Sequence, residues 1–261
     1  MKCKLCNMDV EKLCNSHIIS EFLYKNTYDT SHRTHGIISD GRFRILQSGL
    51  KEKLLCESCE KILSSYESYF NNNFVSKGYI PDFVNNDLVN IKIDDILMFK
   101  LFHLSNLFRA SISSLPSFSN IHLGPHEKRI GNLLLNKVDN KNYRIFASVL
   151  YNKEKKTLKN IVIMPAVKTY KKHCIYQIGY AGCIWFIKIS SHQCDDIDSI
   201  SLNDNGEFYI DAGPIEELSE IYTIKKSLSE RRLRDTQRRT IPPCPLRSNP
   251  LISGVGTDES G

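Results

Sequence analysis

Apolar and polar residues alternate along the chain in ways that predict three helices. In "ESCEKILSSYESYFNNNF" the apolar and aromatic positions recur every three to four residues, which predicts a helix from about Ser58 to Phe70. The run "IDDILMFKLFHLSNLFRASISS" has the same spacing. Two aspartates near its start favour a helix N-terminus there, because carboxylates stabilise the positive end of the helix dipole. A third helix is expected after Pro125, through "HEKRIGNLLLNK".

Further along, β-branched and aromatic residues predict strands. The segments "YRIFASVLYN", "KNIVIMPAVKTY" and "HCIYQIGYAGCIWFIKIS" predict three or four antiparallel strands, and "GEFYIDAG" predicts another. Residues 26–50 are polar and glycine-containing, which favours a long loop or hairpin, and the Asn-rich stretch 71–93 reads as a connector. The pattern predicts an α+β protein. Its expected parts are a domain over 1–75, a helical and antiparallel-sheet domain over 76–240, and a disordered tail over 241–261.

Composition narrows the class of protein. Hydrophobic residues make up 41% of the 261 positions and charged residues 25%, as in a soluble globular protein. No apolar run reaches the roughly 18 residues that span a bilayer, and the N-terminus lacks an apolar signal core. We therefore expect a cytoplasmic protein with no membrane partner. Because thiols stay mostly reduced in a cytoplasm, paired cysteines among the nine present indicate metal binding rather than disulfides.

Positive charge is concentrated near the C-terminus. The net charge is +6, and the stretch 225–239, "KKSLSERRLRDTQRR", carries a local +5 (seven basic residues less two acidic ones). Such a patch suits a polyanion such as DNA, and a solvated terminal helix is the alternative. The candidate phosphate-binding residues are Lys225, Lys226, Arg231, Arg232, Arg234, Arg238 and Arg239.

Two Cys-x-x-Cys pairs predict a structural zinc site. Cys3/Cys6 and Cys56/Cys59 would supply the four thiolates of a tetrahedral site, and the second pair leads straight into the predicted helix, as in a treble-clef finger. The alternative is two coincidental pairs of buried thiols. Cys14 is a competing ligand by position, but it lies in a predicted strand and is expected to pack there.

The arrangement of these pairs around "SHIIS" resembles the HNH (His-Me finger) endonucleases. Their pattern is Cys-x-x-Cys, then Asp-His-aliphatic-aliphatic-Pro, then Cys-x-x-Cys followed by Asn or His. The corresponding segments here are "CKLC", "SHIIS" and "CESCE", so the resemblance covers about residues 1–75. It implies a ββα-metal fold with His17 as general base, a structural zinc, and a separate catalytic Mg²⁺ or Mn²⁺ that neutralises the departing oxygen.

This chain departs from the family pattern at the catalytic metal. Ser16 stands where the family has its metal-binding Asp, and Glu60 stands where it has Asn or His. Glu60 and Glu67, seven residues apart and so near one helical face, are candidate ligands in place of the Asp, since Mg²⁺ prefers hard oxygen donors. The alternative is that both glutamates are solvated charges on the helix surface. Glu21 is a weaker candidate. Two loop histidines, His32 and His35, are also weaker candidates.

Three roles follow as hypotheses. The first is a metal-dependent DNA endonuclease, and the resemblance suggests an anti-phage or anti-plasmid defence setting. The second is a catalytically degenerate zinc-finger module that binds nucleic acid or a partner protein. The third is an effector that needs a sensor partner. The strand-rich segment could recognise nucleic acid, bind a partner protein or form a homo-oligomer, and the sequence does not choose among these roles. Arg109, within an apolar helix, requires a charged partner.

Overall fold

The computed structural model describes residues 1–25, 27–28, 34–37, 43–46, 49–85 and 88–215. The helices are α1 (Glu21–Lys25), α2 (Glu57–Phe70), α3 (Ile96–Ile112), α4 (Pro125–Asn136) and α5 (Asp195–Ile200). The strands are β1 (Cys14–His17), β2 (Thr34–Ile37), β3 (Phe43–Leu46), β4 (Lys51–Leu55), β5 (Leu88–Lys92), β6 (Arg144–Tyr151), β7 (Val162–Tyr170), β8 (His173–Tyr180), β9 (Cys183–Ile189) and β10 (Glu207–Pro214). The protein is thus α+β.

The three predicted helices are confirmed as α2, α3 and α4. Helix α2 begins at Glu57, where Cys56 is its extended N-cap residue, and it continues beyond Phe70 as a π-helical turn. Helix α3 begins after Asp95, whose side chain accepts a hydrogen bond from the Met98 amide. This cap satisfies one of the unpaired amides that every helix N-terminus exposes.

The strands form two sheets. A two-stranded sheet pairs β1 with β4, and an eight-stranded sheet has the order β3-β2-β7-β8-β9-β6-β10-β5. The predicted strands over 144–189 and 207–214 are confirmed, and β2–β3 is a hairpin within the predicted loop or hairpin. The expectation of a purely antiparallel sheet is wrong, because β10 runs parallel to β6 and β2 runs parallel to β7. Hydrophobic pattern indicates burial, but long connections allow either strand direction.

Strand β5 lies in the segment expected to be a connector. It pairs only with β10, at the edge of the large sheet. An edge strand needs few apolar residues, and the asparagines around it therefore masked its pattern.

The central strands are buried on both faces. Along β9, Trp185 and Ile187 belong to the main core, whereas Ile184 and Phe186 belong to a smaller core that also contains Ile197 of α5. This alternation follows from the two-residue period of a strand, and it explains why the β9 sequence is almost continuously apolar.

The main core extends without a break from Cys3 to Ala212 and includes α2, α3 and the large sheet. No helix among the described residues combines the length and the apolar character that crossing a membrane requires. The basic stretch 225–239 and the tail 241–261 lie outside the described residues.

Candidate metal centre and histidine site

A β-hairpin followed by a helix carries most of the predicted site. Strand β1 pairs antiparallel with β4, so that His17 lies opposite Lys51. The pairing continues past β1, since the Ile18 amide donates to the Leu50 carbonyl at 3.0 Å. Strand β4 then leads through Cys56 directly into α2.

The four predicted zinc ligands come together where this hairpin meets α2. The sulfur atoms of Cys3, Cys6, Cys56 and Cys59 all lie within 4.8 Å of one another. None of the four is in a disulfide. A tetrahedral zinc with Zn–S bonds of about 2.3 Å has S···S edges of about 3.8 Å, and the Cys6 and Cys56 sulfurs are 3.8 Å apart. The set could therefore hold a metal ion such as zinc.

The backbone around Cys3 favours its thiolate, whereas burial raises the pKa of the Cys6 and Cys59 thiols. The Cys56 amide donates to the Cys3 sulfur at 3.3 Å. Burial raises the pKa of the Cys3 thiol, but backbone amides of Cys6, Cys56 and Leu5 outweigh it and lower that pKa to about 7. Asn7 has φ 58, a left-handed conformation that closes the turn after Cys6. Cys14 lies on β1 and is not part of the cluster.

His17 is largely buried, and one nitrogen of its ring is unpaired in the described part of the chain. Its side chain is 16% exposed, and Nε2 is buried without a hydrogen-bond partner among the described residues. Oε1 of Glu21, one helical turn further along the chain, lies 3.9 Å from Nε2. Burial lowers the pKa of His17, nearby Lys51 and Arg109 lower it further, and Glu21 and Glu67 oppose them. The imidazole is therefore neutral at pH 7 and able to accept a proton.

Two of the three predicted catalytic-metal ligands are in contact. Ser16 is buried, and its hydroxyl donates a hydrogen bond to Oε1 of Glu60. Glu60 is half-buried in the first turn of α2. This contact joins the strand position just before His17 to the start of the helix.

The third predicted ligand, Glu67, has other partners. Its Oε1 lies 2.7 Å from Nη2 of Arg109 and accepts a hydrogen bond from the Ser20 hydroxyl at 2.9 Å. Arg109 is 1% exposed. The charged partner that the sequence requires for Arg109 is thus Glu67.

Sequence reasoning missed Ser20 and Asn106, both fully buried beside this pair. The signal was present in "LSNLFRA", because Asn106 and Arg109 stand three residues apart in an otherwise apolar helix and so share one helical face. Polar side chains buried on one face of an apolar helix need hydrogen-bond partners, so their presence indicates a buried polar cluster.

The other candidates fall elsewhere. Among the described residues, the four cysteines are the only group of three or more potential metal-binding side chains. His35 lies on β2, whereas His32 and the seven basic residues of 225–239 are outside the described part of the chain. No protein-family model, curated protein or solved structure matches the chain.

Proposed function

We propose that this protein is a metal-dependent endonuclease of the HNH type that hydrolyses DNA phosphodiester bonds. The observation that carries the proposal is the position of His17 at the end of β1, in a hairpin that leads through the cysteine cluster into the helix bearing Glu60. A strand-borne histidine, in a hairpin that leads into a helix carrying an oxygen ligand, matches the ββα-metal arrangement that the sequence resemblance implies.

In this proposal His17 is the general base. Its neutral imidazole takes a proton from a water molecule as the water oxygen attacks phosphorus, and the lowered pKa keeps the ring unprotonated at neutral pH. The zinc held by the four cysteines is structural and fixes the hairpin against α2.

Glu60 supplies an oxygen ligand for the catalytic cation. Mg²⁺ and Mn²⁺ commonly bind through one or two carboxylates, with water and substrate phosphate completing the shell, so a site with few protein ligands fits them. A cation held by Glu60 would neutralise negative charge on the departing oxygen. The Ser16 hydroxyl beside Glu60 orients that carboxylate.

DNA contacts are proposed at two surfaces. Lys51 and Lys53 are exposed on β4, and Lys51 lies directly opposite His17. In this proposal, a lysine side chain at that position contacts a phosphate of the DNA backbone next to the cleaved bond. The basic stretch 225–239 is the second surface.

A degenerate, binding-only module is the alternative. It is favoured by the hydrogen bond from Ser16 to Glu60, because Ser16 stands where the family has its metal-binding Asp and this bond occupies one oxygen of the carboxylate left to bind the cation. Under either proposal, a role in defence against foreign DNA and a dependence on a sensor partner are further hypotheses.

A plasmid-nicking assay with Mg²⁺ or Mn²⁺ tests the proposal, on wild type, His17→Ala and the control His173→Ala on β8. Loss of a positioned base typically costs about 10²–10⁴-fold in rate. We expect that loss for His17→Ala alone, with zinc content, melting temperature and DNA affinity kept. A wild type that binds but never cuts, alone or with neighbouring gene products, would establish the alternative.

A further inference from the structure

The backbone that follows His17 is held by side chains from α2 and α3. Ile18 and Ile19 are fully buried, and the Ser20 amide donates to Oδ1 of Asn106 at 2.9 Å. The Ser20 hydroxyl lies 2.9 Å from Oε1 of Glu67 and 3.1 Å from Oδ1 of Asn106. Three residues after His17, the chain is thus anchored to two helices.

Arg109 lies at the centre of this cluster. Its Nη2 is 2.7 Å from Oε1 of Glu67, 3.1 Å from the Ser20 hydroxyl and 3.3 Å from Oδ1 of Asn106. Its Nε donates to the Ser105 carbonyl at 3.4 Å. A buried charge is tolerated only when it is paired and hydrogen-bonded, and Arg109 meets both conditions.

The Asn106 amide is fixed at both ends. Its Nδ2 donates to the Phe102 carbonyl at 3.1 Å, one turn earlier in α3, while Oδ1 accepts from Ser20 and Arg109. A network in which each member has partners is rigid, because no side chain can rotate without breaking several hydrogen bonds.

The His17 ring lacks such restraint. Its Nε2 has no hydrogen-bond partner in the described part of the chain. Its close neighbour is Gly49, where an added Cβ would lie 3.1 Å from Cδ2 of His17. With Nε2 unpaired among the described residues, the direction of the ring depends on packing and on the backbone on either side.

We propose that Ser20, Asn106, Arg109 and Glu67 form a positioning network that aims His17 at the substrate, an inference that rests on the proposed nuclease function. Glu67 acts in it as the anchor of Arg109, and the catalytic cation is left to Glu60. A base displaced by about 1 Å can lose on the order of 10²-fold in rate. Helix α3 is thus part of the catalytic apparatus although none of its residues touches substrate.

The test is Ser20→Ala, which removes one hydroxyl from the network. Ser105→Ala is the matched control, since Ser105 is equally buried and its hydroxyl donates only to the Phe102 carbonyl in the same helix. We expect the single-turnover cleavage rate to fall about 10- to 100-fold for Ser20→Ala relative to this control. DNA affinity, zinc content and melting temperature should match the control.

If the Ser20→Ala protein does not fold, a second pair of variants, at Asn106, tests the same network. Asn106→Gln keeps both the oxygen that accepts from Ser20 and Arg109 and the NH2 group that donates to the Phe102 carbonyl. It should therefore lose less of the cleavage rate than Asn106→Ala, which removes both groups. Equal rates for Ser20→Ala and Ser105→Ala would overturn the proposal. So would a rate loss explained entirely by lost zinc or unfolding.

A measurement that needs no cleavage separates failure of the positioning role from failure of the proposed nuclease function. In nuclear magnetic resonance spectra, the ring signals of His17 should shift or broaden in Ser20→Ala and not in Ser105→Ala. Unchanged ring signals would refute the positioning role. Shifted signals in a protein that never cuts DNA would refute the nuclease function and leave the coupling between the network and His17 standing.

Discussion

The rings of Phe70 and Phe102 stack with their centroids 4.0 Å apart and their planes 13° apart. Phe70 ends α2, and Phe102 lies in the middle of α3. The other end of α2 carries Cys59 and Glu60, about 15 Å away at 1.5 Å per residue. The helix that presents the candidate site is therefore fixed at its far end by aromatic packing against α3.

Removing one thiol of the metal cluster should unfold the N-terminal hairpin. Structural zinc sites contribute on the order of 10 kcal/mol of apparent binding free energy, which Cys56→Ser forfeits. We expect wild type to carry about one zinc per chain by elemental analysis and Cys56→Ser to carry none and melt at a lower temperature. Cys174→Ser, at an exposed position on β8, is the control. Folded wild type without zinc would rule out the site.

Glu60→Ala should lose most of its cleavage rate, and the residual cleavage should depend more weakly on Mg²⁺ or Mn²⁺, because the helix then offers no carboxylate beside Ser16. Glu57→Ala is the matched control, since Glu57 lies in the same first turn but is exposed and pairs with Lys61 at 2.7 Å. Cleavage titrated against cation concentration measures the difference. Equal titration curves for the two variants would remove Glu60 from the site.

Lys51 and Lys53 should contribute to DNA affinity through the phosphates. Each phosphate contact adds about 0.9 to the slope of log affinity against log salt. The double variant Lys51→Gln, Lys53→Gln should therefore lower the slope by about 1.8. Binding is measured by fluorescence anisotropy between low and moderate salt, with Lys61→Gln on α2 as the control. An unchanged slope would mean that β4 does not touch DNA.

His103 should make the fold less stable in acid. It is fully buried, its Nδ1 is 2.6 Å from the Tyr180 hydroxyl, and burial lowers its pKa well below 6.5. The unfolded chain binds this proton near pH 6.5 and the folded chain does not, so the free energy of unfolding falls as pH falls below 6.5. Between pH 7 and 5.5 the loss from this residue is about 1 kcal/mol.

Urea unfolding of wild type and His103→Met at the two pH values measures this loss. The variant lacks the hydrogen bond to Tyr180 and is less stable throughout, but its stability should change less with pH. Equal pH dependence in both proteins would show that the pKa of His103 is the same in the folded and unfolded states.

The local secondary-structure elements and the four candidate metal ligands could be predicted from the sequence. Helix α2 and the cysteine cluster were predictable, because helical period and the Cys-x-x-Cys spacing each depend on neighbouring residues. Ser16 and Glu60 were predicted to share one cation site, but the hydrogen bond between them was not predicted.

The partners of Glu67 were not predictable in the same way. Ser20, Asn106 and Arg109 lie 47, 39 and 42 positions from Glu67 in sequence, and only the packing of α3 on α2 brings them together. The parallel pairing of β2 with β7 escaped prediction for a related reason, since no local signal tells a strand which distant edge it will join.

A metal bound by the four cysteines would allow the segment between the two Cys-x-x-Cys pairs to vary in length. Forty-nine residues separate Cys6 from Cys56, and bringing the ends of such a loop together costs roughly 3 kcal/mol of chain entropy. Bound zinc would offset this cost, and doubling the loop would add only about 0.6 kcal/mol. The chain between the two Cys-x-x-Cys pairs should therefore tolerate an inserted affinity tag or fluorescent protein, with a bound metal still tying the hairpin of His17 to α2.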